Sequence, residues 1–187
     1  MKAADFNPRK LDVAAFAKAG ASLSGQWPLA DFPRLMESVP EEARADLTSP
    51  VSWSVTGLQR PVLGGAPEVW LHLRAQGAVP LTCQRCLQPV VEQLAIERQA
   101  RFVADEATAA ELDAVLEDDV LVLSRSLDLG WWLEDEFILE LPLMPLHDSC
   151  QPAVPLAAPG EAPAEQDDRP HPFAALAALK KPGQPRS

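Results

Sequence analysis

Val51-Ser52-Trp53-Ser54-Val55-Thr56 sets a large apolar side chain at every second place, with a hydroxyl between each pair. That period of two marks a strand with one buried and one wet face. Gly64-Gly65 then signals a turn. Beyond it Val69, Leu71 and Leu73 alternate with Trp70, His72 and Arg74. Two such strands across a turn predict an antiparallel pair. After Gln76-Gly77 the second strand either bulges or runs on to Leu81. Cys83-Gln84-Arg85-Cys86 reads as a tight turn, and a long third strand follows. Val90, Leu94, Ile96, Ala100 and Phe102 share its apolar face, and Gln93, Glu97, Gln99 and Arg101 share the other.

Working outward, residues 104–117 are rich in Ala and Glu and predict an exposed loop or weak helix. Val120 to Leu123 is a short apolar strand behind a solvated Asp118-Asp119. Asp128 is placed to cap a helix over about 128–141. Leu129, Trp132, Leu133, Phe137 and Leu141 form its core face, at helical spacing. Glu134, Asp135 and Glu140 are read as its wet face, and Pro142 and Pro145 stop it. Upstream, residues 1–50 read as irregular or helical. A short helix over 12–21 ends at Gly20, a second over 31–36 is capped by Asp31, and a helical turn covers 40–44. Strands followed by a helix argue an α+β fold, an antiparallel β-sheet core with a packed amphipathic helix. The expected organisation is one α+β domain over 1–150, with strands over about 51–123. A disordered acidic Pro/Ala linker over 151–170 follows, then a tail over 171–187 with a short helix.

The chain has 187 residues, 47% of them hydrophobic, enough for one ordinary core. No run reaches the length of a membrane span, and 14–21 is too short and mixed for a signal peptide. A cytoplasmic protein with no membrane partner is the expectation. The net charge of −11 is uneven: +1 over 1–103, −16 over 104–168 and +4 over 169–187. The acidic third repels a phosphate backbone. RNA contact must therefore come from the first half, from the tail or through a partner.

Three cysteines, an odd number, exclude a secreted disulfide framework. Cys83 and Cys86 at a turn aim two sulfurs one way, and His147-x-x-Cys150 would complete a Cys₃His tetrahedron for zinc. The plain alternative is a pair of reduced thiols with His147 and Cys150 on the surface. A redox dithiol fits less well, because such pairs sit at a helix N-terminus and this one lies between strands. Glu136 and Glu140 share a helix face, as a metal or acid/base pair would, but the preferred reading is a solvated face. Phe173, Leu176 and Leu179 recur every third residue, and Lys180 and Lys181 suit the negative end of a helix. This tail helix docks either on its own domain or in a partner's groove. Phosphate loops, nucleophile elbows and zinc-protease motifs are missing, so enzyme function is not expected.

These pieces together resemble the YceD family, the large ribosomal RNA subunit accumulation proteins. The resemblance rests first on Cys83-Gln84-Arg85-Cys86 closing a strand. It continues through Asp128-Leu129, then Glu134-Asp135-Glu136 with Ile138-Leu139 and Leu141-Pro142. Pro145, His147-Asp148-Ser149 and Pro172-Phe173 with Leu176, Leu179 and Lys180 complete it. The motifs stand in family order over roughly 50–181. One departure is His171-Pro172, where the family often shows Asn-Pro or Asp-Pro, so a capping side chain is missing. The resemblance implies a cytoplasmic bacterial protein with a role in synthesis, processing or stability of 23S ribosomal RNA. It implies no known catalytic residues and no established cofactor.

The leading expectation is a ribosome-biogenesis factor that binds a protein partner or pre-ribosomal particle, with Phe173, Leu176, Leu179, Lys180 and Lys181 as partner-binding residues. It would meet 23S rRNA directly or indirectly. The first alternative is a direct RNA-binding module using Arg74, Arg85, Arg98 and Arg101. The second is a small zinc-binding protein with an unrelated adaptor role.

Overall fold

A computed structural model describes residues 6–47, 50–116 and 118–153. The chain begins with α1, Val13–Lys18, where Asp12 accepts the N–H of Ala15 as its cap. Gly20 turns the chain at a φ of 55°, a left-handed conformation that suits glycine. An edge strand β1, Ser22–Trp27, comes next. Three short 3₁₀ turns, Leu29–Asp31, Leu35–Ser38 and Glu41–Asp46, carry the chain to β2, Val51–Arg60. The expected helix over 31–36 is thus two 3₁₀ turns, and Asp31 ends the first of them. Pro33 lies between the two and cannot donate the bond that would join them.

β3, Glu68–Thr82, and β4, Pro89–Val103, form one long antiparallel hairpin. They stay paired from Val69↔Phe102 to Thr82↔Pro89, so β3 runs on through Gly77 without a bulge. β2 accompanies β3 only as far as Ser52↔Gln76. The last six residues of β3 therefore have β4 alone as a sheet neighbour. Val79, Leu81 and Val90 in this outer part still belong to the hydrophobic core. The Cys83 turn sits at its tip.

A helix α2, Glu106–Asp113, crosses to β5, Asp119–Val122. β5 pairs with β4 in parallel, Phe102↔Leu121 among the partners. The expectation of an antiparallel sheet is corrected here: the order β1-β2-β3-β4-β5 is antiparallel except for the last pair. A hairpin turn would have forced antiparallel pairing, but a helical crossover returns the chain to the same end of the sheet. The fold remains α+β.

α3, Leu129–Glu140, is capped by Asp128, whose Oδ1 accepts the N–H of Gly130 at 2.8 Å and of Trp131 at 3.3 Å. Leu129, Leu133 and Phe137 are fully buried, together with Leu11, Phe16, Phe32, Leu71 and Leu73. One face of the sheet carries this core. The other shows Ser52, Ser54, Thr56, His72 and Arg74 in register.

The assignment of Glu134 and Asp135 to a wet face of α3 is also corrected, whereas Glu140 is exposed as that reading had it. Glu134 and Glu136 are buried, with 4% and 7% of their surface exposed, and Asp135 is half-buried. Arg34 and Arg98 supply opposite charge there, which is what allows carboxylates to leave water. Large apolar side chains face outward instead, Trp131 at 59% and Leu139 at 76% exposed. The expected linker over 151–170 is corrected at its start: residues 151–153 belong with the core, Ala153 N–H donating to Arg85 O at 3.1 Å, and the rest of the linker and the tail helix lie outside the described residues.

Candidate metal centre

The turn after β3 is held by two backbone bonds, Cys83 N–H to Gln88 O and Leu87 N–H to Cys83 O, both 2.9 Å. Leu87 sits at a φ of 62°, the one described non-glycine residue with positive φ. A branched side chain rarely adopts that conformation, so the turn is held against its local preference. Past α3, Pro142 and Pro145 keep the helix from continuing, and the chain returns across the hairpin tip. Gln84 N–H donates to Pro145 O at 2.9 Å, and Ala153 N–H donates to Arg85 O at 3.1 Å. The Arg85 guanidinium donates to His147 O. These bonds strap residues 145–153 onto the knuckle.

The strap places four donor atoms within 4.8 Å of one another: the sulfurs of Cys83, Cys86 and Cys150 and a ring nitrogen of His147. Cys83 Sγ lies 3.8 Å from Cys150 Sγ, and Cys86 Sγ lies 3.3 Å from His147 Nδ1. A tetrahedral zinc with bonds of about 2.3 Å to sulfur has S···S edges of about 3.8 Å. His147 Nε2 is 3.0 Å from Pro89 O. With its N–H donated there, Nδ1 carries the lone pair and points into the cluster, the outer partner that ligand histidines ordinarily have. The donor set and its spacing fit zinc, which four protein ligands would leave with no open position. Such a closed site supplies folding energy rather than catalysis.

The electrostatics favour the thiolate at Cys83. Burial pushes the Cys83 thiol up, but backbone N–H groups of Cys86, His147 and Arg85 and the Cys86 side chain outweigh it, bringing it down to about 5. Cys150 is raised by burial and by its two sulfur neighbours, with Arg85 pulling the other way. Three thiolates around a divalent ion leave one net negative charge, and Arg85 is the cation beside it. Arg85 Nε is buried and without a hydrogen-bond partner among the described residues.

The other candidate residues are spread out. Arg74 donates to Glu97 through Nη2 at 2.7 Å, and His72 Nε2 approaches the same oxygen at 2.9 Å. These bonds hold the Glu97 carboxyl below the usual range, Arg74 first and His72 second. Arg101 pairs with Glu68 at 3.0 Å. Arg98 lies on the opposite face and bridges to Glu136 at 2.9 Å and Glu140 at 3.1 Å. Each of these three arginines has an acid partner, and the fourth, Arg85, is turned into the strap. Phe173, Leu176, Leu179, Lys180 and Lys181 lie outside the described residues. Sequence reasoning missed the supporting parts of the centre, Pro89 O and the strap bonds of Arg85, because a carbonyl leaves no trace in composition. The signal available was Pro142 and Pro145, which end the helix before the chain turns back.

The family described as Large ribosomal RNA subunit accumulation protein YceD matches residues 71–180. The chain belongs to the YceD family. All four donor residues fall within the YceD match, whereas α1, β1 and β2 precede it. A YceD relative from Haemophilus influenzae, named Large ribosomal RNA subunit accumulation protein YceD, is 36% identical over 110 residues. The alignment covers 58% of this chain and 63% of that protein, somewhat under two thirds of its length. No solved structure matches the chain. Among the described residues no helix is long and apolar enough to cross a membrane.

Proposed function

We propose that this chain is a non-enzymatic ribosome-biogenesis factor with a role in synthesis, processing or stability of 23S ribosomal RNA, acting in the cytoplasm. The observation that carries this reading is the YceD match over 71–180, together with a relative named for accumulation of the large ribosomal RNA. The chemistry of the core agrees with it. The buried acids of α3 are engaged in ion pairs with Arg34 and Arg98. The three clustered thiols and His147 form a closed four-donor set, the arrangement that would suit a structural ion.

In this reading the platform runs to Ala153, whose N–H is bonded to Arg85 O, and the residues from 154 to 170 tether a partner-binding tail. The partner is a protein or a pre-ribosomal particle, so 23S rRNA is met through it. Direct RNA binding is the weaker reading, because Arg74, Arg98 and Arg101 are engaged by Glu97, Glu136, Glu140 and Glu68. The test is deletion of the gene, with 23S and 16S RNA quantified in slow and fast growth. A fall in 23S relative to 16S, or retained 23S precursors, is the expected result. Unchanged ratios and precursor ends would remove the proposal.

A further inference from the structure

α3 has an outer apolar stripe, of which Trp131 and Leu139 stand exposed and Ile138 is half-buried against the core. Trp131, Ile138 and Leu139 stand at i, i+7 and i+8, so they lie along one side of the helix over about 12 Å. Trp131 and Leu139 are among the most exposed large apolar side chains of the core. Beside them runs a groove of about 690 Å³ between α2, β5 and α3, with Leu121 on its floor. Scattered exposed apolar residues need no explanation, but a contiguous set lining a groove marks a contact surface.

The rim decides what the surface fits. Glu106, Asp113 and Asp119 stand exposed around the groove. The cation at its edge is Arg34, stacked over Trp131 at 5.1 Å and bound by both Glu134 and Asp135, which neutralise it. Residues 104–153 carry 13 acids and one basic residue, Arg125. A nucleic acid or an anionic membrane is repelled by such a rim. An apolar floor with acidic walls selects a chain that brings large apolar side chains and cations together.

We propose that this groove is a docking site for a basic amphipathic helix of a partner protein. Its apolar face covers Trp131, Ile138 and Leu139, and its lysines or arginines meet Glu106, Asp113 and Asp119. The two helical walls and the lengthwise stripe suit a helix laid in a groove. The site is separate from the metal centre and depends neither on zinc nor on the ribosomal role.

The probe is a labelled synthetic helix of about five turns, with leucines at i, i+3, i+4 and i+7 and lysines elsewhere. Binding to the full chain is read by fluorescence anisotropy. A second peptide carries glutamate at every lysine position. The lysine peptide should bind, more weakly as salt rises, and the glutamate peptide should not. Trp131→Ala with Leu139→Ala should weaken binding at least about tenfold, as loss of interface anchors does. Both side chains are exposed, so an unchanged melting temperature certifies the fold of that variant. Asp113→Asn with Asp119→Asn should flatten the salt dependence.

No binding of the lysine peptide, equal binding of both peptides, or equal affinity in the apolar double variant would overturn the proposal. So would a dimer of the full chain that Trp131→Ala dissociates, since a second copy would then be the occupant. Markedly tighter binding after removal of residues 171–187 would give the groove to the chain's own tail and equally overturn the partner assignment.

Discussion

Glu134 Oε1 accepts the backbone N–H of Arg34 at 2.5 Å and of Leu35 at 3.1 Å, and Oε2 faces Arg34 Nε at 3.1 Å. One carboxylate thus satisfies two donors at the start of a 3₁₀ turn, and the Leu35 bond is buried. Glu134→Ala should lower unfolding free energy by about 2–3 kcal/mol, since it strands a buried donor. Glu134→Gln should cost less, because the amide oxygen still accepts. Urea denaturation decides it, and a loss below about 0.5 kcal/mol for Glu134→Ala would contradict the assignment. The sequence shows Glu134 on a helix but not Arg34 one hundred residues earlier. Local periodicity assigns a charge to the outside by default, and only the tertiary partner reverses that. The metal ligands were more legible, because two cysteines at turn spacing and a later His-x-x-Cys carry their chemistry in the residue types themselves.

At the scale of elements, strands with strict alternation were legible and strands built from small residues were not. β1 reads Ser22-Leu23-Ser24-Gly25-Gln26-Trp27, with too few large apolar side chains to show a period of two. Gly25 is required there because a Cβ would lie 2.9 Å from the Trp53 ring. β5 was found but its direction was not, since direction depends on the crossover and not on the strand. Gly57 fixes how α1 meets β2. A Cβ on it would stand 2.8 Å from the backbone N and Cα of Ala17, and backbone cannot step aside as a side chain does. Gly57→Ala should therefore destabilise by about 1–3 kcal/mol, the range of an overpacked core. Thermal melts read the shift, and an unchanged midpoint would mean α1 is free to move off the sheet.

α2 offers a check by pH. Asp105 is held below the usual carboxylate range first by the Thr108 backbone N–H and then by the Thr108 hydroxyl. Its folded value is depressed, so its cap stabilises above the unfolded value of about 3.9 and is lost as pH falls through the lower folded one. Carbon NMR should place the Asp105 midpoint under that of a model peptide. A midpoint at or above it would show the cap is not made.

For the whole molecule, the proposed function makes the described core a platform and residues 171–187 the part that would meet a partner. Removal of residues 171–187 should leave the melting temperature of the core where it is and abolish co-purification of the partner. A lowered melting temperature would show that the tail supports its own domain. The platform in turn depends on the strap: residues 145–153 cross the hairpin tip on a few backbone bonds and the four clustered donors. Without an ion, three thiols and a histidine hold that crossing only weakly. Native mass spectrometry of protein purified without chelator tests this most directly, by counting metal per folded chain. Close to one zinc per chain is the expected result, lost in Cys83→Ser and in Cys150→Ser together with a lower melting temperature. Metal-free protein that melts at the same temperature with and without added zinc would contradict it.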